Sequence, residues 1–179
     1  MEKTAESLLK HGYQARRERR LEDARTTFAE SADLCRKSND HHLLAKSLTG
    51  LGQIERDLHE IEPSLQHYQE AVAILRSLDD PQSLAHTIRH VGDIQREMNQ
   101  LTPAEASYAE ALAIYRNHPE TDTLDLANTL RGYALLKAAI GEKEAAKLLW
   151  QEAGTLYAQV DVQAGVTESA RQLALLATN

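Results

Sequence analysis

Leu44-Ala45-Lys46-Ser47-Leu48-Thr49-Gly50-Leu51-Gly52-Gln53-Ile54 returns forty residues later as Leu84-Ala85-His86-Thr87-Ile88-Arg89-His90-Val91-Gly92-Asp93-Ile94. It returns again, 42 residues further on, as Leu126-Ala127-Asn128-Thr129-Leu130-Arg131-Gly132-Tyr133-Ala134-Leu135-Leu136. Apolar residues within each copy recur at helix spacing, and a period of this length marks helix pairs stacked in an array. Each unit of such an array buries its apolar face only against its neighbours, so the product is an extended surface rather than one enclosed site.

Weaker copies flank the clear ones. Ala5, Leu8 and Gly12 stand forty residues before Ala45, Leu48 and Gly52, and Val166, Ala170, Ala174 and Leu176 stand forty after Leu126, Leu130, Ala134 and Leu136. Five first helices are therefore expected, beginning near residues 4, 44, 84, 126 and 166. The expected organisation is one all-α solenoid over 1–179, with units near 4–43, 44–83, 84–125 and 126–165 and a capping helix over 166–177.

Gly12, Gly52, Gly92 and Gly132 are each forty apart, which suggests a common slot. The flanking apolar residues instead place Ala134 there, leaving Gly132 as a coincidence. The second helices agree, since Phe28, Tyr68, Tyr108 and Trp150 follow at intervals of 40, 40 and 42. Thr102-Pro103-Ala104-Glu105 reads as an N-cap, a proline at the first helical position and a capping-box Glu. Pro63 holds the same position one unit earlier, and Gly141-Glu142 marks a turn. Asn39-Asp40-His41-His42, Asp79-Asp80-Pro81 and His118-Pro119-Glu120-Thr121 read as connectors between units.

These residues resemble the tetratricopeptide repeat family. The small slot on the first helix holds Gly12, Gly52, Gly92, Ala134 and Ala174, the small residue on the second holds Ala24, Ser64, Ala104 and Ala146, and the bulky knobs come four residues later. The family's initial Trp slot holds Leu8, Leu48, Ile88, Leu130 and Ala170, and its closing proline is missing. The period is similar to the longer variant found in kinesin light chains. The resemblance implies an α-solenoid of four antiparallel helix pairs and a final helix, whose function is to bind protein or peptide along the concave face lined by the first helices.

Two arginine columns fall on that face. Arg16, Arg56 and Arg96 lie four residues after the small slot, and Arg89, Arg131 and Arg171 lie three before it. Lys46, Thr49, Gln53, His86, Asn128 and Arg17 share the face. Guanidinium groups favour carboxylates, so an acidic segment or chain end is the expected ligand. Arg56, Arg89, Arg96 and Arg131 are expected to meet its acidic groups, and Gln53 and Asn128 its backbone. The competing expectation is a ladder of surface ion pairs between adjacent helices, with Asp57, Glu97 and Asp93 as partners. The carboxylate clamp of chaperone-binding relatives is not reproduced, because Leu9 and Tyr13 stand at its slots.

The net charge of −7 opposes general nucleic-acid binding, which needs a basic face. No apolar run is long enough to cross a membrane, and no signal peptide is expected at the start. The single cysteine, Cys35, forbids an internal disulfide and fits a reducing, cytoplasmic setting; it reads as a packed, inert thiol. His86, His90 and Asp93 are spaced one turn apart, as transition-metal ligands can be, but the motif His-Glu-x-x-His is absent and two surface histidines are the better reading. No catalytic motif, cofactor or metal site is expected, and the chain reads as no enzyme. Tyr133, Leu135 and Leu175 make the C-terminal end of the face more apolar, so self-association there, or a structural role in a larger assembly, is the alternative function. A peptide-sensing regulator similar to those of bacterial quorum systems ranks lower, because no output domain is expected.

Overall fold

The computed structural model describes residues 4–118 and 120–178, and among these every regular element is an α-helix. They are α1 (Ala5–Arg17), α2 (Leu21–Ser38), α3 (His41–Asp57), α4 (Ile61–Leu75), α5 (Pro81–Glu97), α6 (Leu101–Asn117), α7 (Thr123–Ala139), α8 (Lys143–Gln159) and α9 (Gln163–Thr178). They fall into two compact units, Met1–Asp80 and Pro81–Asn179. In the first, α1 pairs with α2 and α3 with α4, and α2 also packs on α3. In the second, α5 pairs with α6 and α7 with α8, α6 packs on α7, and α9 covers α8.

The odd-numbered helices from α3 onward begin three residues earlier than the repeat phrase suggests. Asp40 Oδ1 accepts from the Leu43 amide at 3.0 Å, and Asp122 Oδ1 from the Asp125 amide at 3.0 Å. Each carboxylate satisfies an amide that the helix start leaves without a partner, so the helix extends back to it. His41, His42 and Pro81 are thus helical rather than connectors, and Pro119 lies outside the described residues. Likewise α6 starts at Leu101 behind Gln100, which makes no side-chain cap. Thr102 is not its N-cap, and Pro103 is its third residue, where a missing N–H still costs no helical bond. Pro63 sits the same way in α4.

The turns inside the pairs share one geometry. Arg19, His59, Asn99 and Gly141 adopt left-handed backbone with φ of 61°, 65°, 59° and 84°. In the first turn the Arg19 amide donates to Arg16 O and the Arg20 amide to Ala15 O, at 3.0 and 2.9 Å. This is a Schellman closure, which satisfies the carbonyls left over at a helix end. It repeats as His59 to Arg56 and Glu60 to Glu55, Asn99 to Arg96 and Gln100 to Gln95, and Gly141 to Ala138 and Glu142 to Lys137.

Phe28, Tyr68, Tyr108 and Trp150 are completely buried. Their rings press on the small slots: a Cβ on Gly12 would lie 2.7 Å from Phe28, and one on Gly52 2.9 Å from Tyr68. The slot two residues earlier is equally tight. A Cβ on Gly50 would stand 2.6 Å from Phe28, and one on Gly132 2.6 Å from Tyr108. Ala134 does fill the small slot, but Gly132 is no coincidence. It is the counterpart of Gly50, and it admits the aromatic knob of the preceding pair.

Candidate peptide-binding surface

The first helices of each pair lie side by side, α1 with α3 in the first unit and α5 with α7 in the second. In the first unit, Arg16 Nε donates to Asp57 Oδ2 at 2.9 Å and Arg16 Nη1 to Gln53 Oε1 at 3.0 Å. This ion pair joins α1 to α3. Gln53 and Thr49 are almost wholly buried, and the Thr49 hydroxyl donates back to Ala45 O. Arg56 is half-buried, and Lys46 is exposed.

In the second unit the expected ligand contact Arg89 is turned inward, only 8% exposed. Its Nη1 donates to Asp93 Oδ2 at 3.1 Å, and its Nη2 to His90 Nε2 at 2.9 Å. Asp93 Oδ1 accepts from the Tyr108 hydroxyl of α6 at 2.6 Å, while Arg96 Nε makes a long 3.4 Å approach to the same hydroxyl. Burial, together with the Asp93 carboxylate, drives the Tyr108 hydroxyl far above the ordinary tyrosine range. An arginine here neutralises a buried carboxylate, because either charge alone would be costly inside the protein.

His86 extends this cluster to α7. Its Nε2 lies 3.2 Å from His90 Nε2 and its Nδ1 3.1 Å from Asp125 Oδ1. Among the described residues no group of three His, Cys, Asp or Glu side chains is placed to hold a metal ion. Cys35 is completely buried, and burial raises its thiol pKa, away from the reactive thiolate.

Arg131 of α7 holds Glu168 of α9 through both oxygens, Nε at 2.7 Å and Nη2 at 2.9 Å. Asn128 accepts from the Tyr157 hydroxyl at 2.8 Å. Arg171 is exposed and lines a shallow hollow of about 430 Å³ with Gln163, Ala164, Thr167 and Glu168. The arginine columns therefore divide. Arg16, Arg89 and Arg131 bond to this chain's own carboxylates, whereas Lys46 and Arg171 make no side-chain bond to another described residue. Of the acidic partners, Asp93 was visible at helix spacing from Arg89. Asp57 stands beside Arg56 in sequence yet pairs with Arg16, and nothing in the sequence marked Glu168.

Antiparallel helix pairs with these slots and turns define an all-helical repeat solenoid. Residues 3–77 match the tetratricopeptide repeat family model, and the second unit has the same arrangement of paired helices. The structure resembles BtubC (BKLC) from P. vanneervenii at a TM-score of 0.78 and 20% identity, over 88% of this chain and 64% of that one. It resembles the apo form of RapI at 0.83 and 14%, over 92% and 60%. A Rap protein solved in complex with Competence and Sporulation Factor gives 0.81 and 16%, over 92% and 45%. At such identities the likeness is one of fold, and the chain spans less than two thirds of each of these proteins. No curated protein matches it. Among the described residues no helix is long and apolar enough to cross a membrane.

Proposed function

We propose that this protein is a non-catalytic, cytoplasmic interaction module that takes acidic peptide segments on the first-helix face of each of its units. The observation that carries the reading is the exposure of Lys46 on α3 and Arg171 on α9. Both cations lack a carboxylate partner among the described residues, on a chain of net charge −7. Within the first unit Arg56 joins Lys46 in this reading, and within the second Arg96, His86 and Asn128 join Arg171 as further polar contacts. The fold likeness to a Rap protein solved with a bound factor supports ligand binding by such a scaffold.

The test is a binding titration with a fluorescein-labelled acidic peptide. Lys46→Glu with Arg171→Glu should weaken binding and flatten its salt dependence, because screening acts on exposed charges. Unchanged affinity in that double variant removes these residues from the site. The alternative, a structural or assembly role, draws on Leu148 and Leu175, which are 68% and 51% exposed.

A further inference from the structure

From the geometry of the α1–α2 turn we infer a carboxylate-binding pocket in the first unit, fitted to a glutamate side chain or a peptide chain end. This rests on the acidic-peptide reading above and gives it a specific anchor.

An open hollow of about 490 Å³ is lined by Tyr13, Arg16, Arg17, Arg19 and Asp57. Asp57 is already paired with Arg16. The other nearby carboxylates are engaged as well: Glu18 and Asp23 both accept from Arg20, at 2.7 and 2.6 Å. Arg17 and Arg19 are left exposed, with no side-chain partner among the described residues. Two guanidinium groups thus line a hollow whose own acid is neutralised. Tyr13 packs edge-on against Phe28 at 5.0 Å and supplies an apolar wall. An apolar wall beside forked donors matches a carboxylate carried on a short hydrocarbon stem.

The backbone fixes the position of Arg19 at the edge of the hollow. Arg19 holds φ of 61°, a conformation that favours glycine and tolerates asparagine or histidine. The equivalent turn positions hold His59, Asn99 and Gly141. Arginine has no local hydrogen bond to offer in return. The Schellman hydrogen bonds hold Arg19 in this conformation, which fixes where its side chain leaves the turn. The helix dipole accounts for Arg16 and Arg17 in the last turn of α1, but Arg19 lies beyond the cap residue Glu18.

The experiment compares fluorescein-labelled hexaglutamate with hexaglutamine by anisotropy at low ionic strength. Wild type should bind the first and not the second. Arg17→Ala with Arg19→Gly should weaken hexaglutamate binding about tenfold, two charge-assisted contacts being lost. Arg19→Gly alone should melt at a higher temperature than wild type while binding more weakly, a pairing of effects that mere misfolding would not give. Unchanged affinity in the double variant overturns the pocket, and the wider reading survives if Lys46→Glu with Arg171→Glu still weakens binding. Failure of wild type to bind hexaglutamate overturns both.

Discussion

The Tyr108 ring lies against Gly132, so close that a Cβ there would stand 2.6 Å from a ring carbon. The ring has no room to retreat, because it is completely buried and its hydroxyl is tied to Asp93. Alanine would gain about 1 kcal/mol of helix propensity at this position. Overpacking a buried ring costs about 1–3 kcal/mol, so the clash wins. Gly132→Ala should lower the urea midpoint, and combining it with Tyr108→Leu should restore part of the loss. A rise in stability for Gly132→Ala alone would refute the contact.

Asp125 joins α7 to α5 through His86. Burial raises its carboxyl pKa, but the hydrogen bond from His86 and the charges of His86 and Arg89 together outweigh this and bring it below the ordinary value of 3.8. A carboxylate depressed in the folded state stabilises above the unfolded value, and the contribution is lost as pH falls through the folded one. Asp125→Asn should therefore destabilise near neutral pH, and the gap from wild type should close as the pH drops below about 4. Unfolding titrations from neutral to acid pH test this, and a gap that stays constant sinks it.

Arg131 and Glu168 form a two-point bridge between α7 and α9. Arg131 is still 39% exposed on its side chain, so a double-mutant cycle should return only about 1 kcal/mol of coupling. High salt should reduce it, and loss of the bridge should speed amide exchange in α9. Coupling near zero would show that the bridge leaves α9 docking unchanged.

The assembly reading makes a separate demand on Leu148 and Leu175. If copies of the chain associate through this end, the mass measured by light scattering rises with concentration, and Leu148→Glu with Leu175→Glu abolishes the rise. A monomer at every concentration removes that reading.

Much of the fold could be read from residue types and spacing, because close packing leaves few choices. A buried aromatic knob needs a small residue opposite, so Phe28, Tyr68, Tyr108 and Trp150 and their small slots announce themselves at the repeat period. The left-handed turns were legible only at Gly141. Arg19 and His59 carry no turn signal, and the Schellman hydrogen bonds impose their conformation.

The candidate site was harder to read, since charges act across space and not along the chain. Six arginines in two columns look equivalent as letters. Arg16 meets Asp57 and Arg131 meets Glu168 because neighbouring helices bring them within hydrogen-bond reach, 41 and 37 residues away in sequence. Arg89 is drawn inward by Asp93, while Arg171 stays in water. The order of residues was enough to specify the helices, their pairing and the repeat, which follow from local periodicity and side-chain size. Which cations remain open to a partner depends on how each helix face is set against the next, and that is settled by packing.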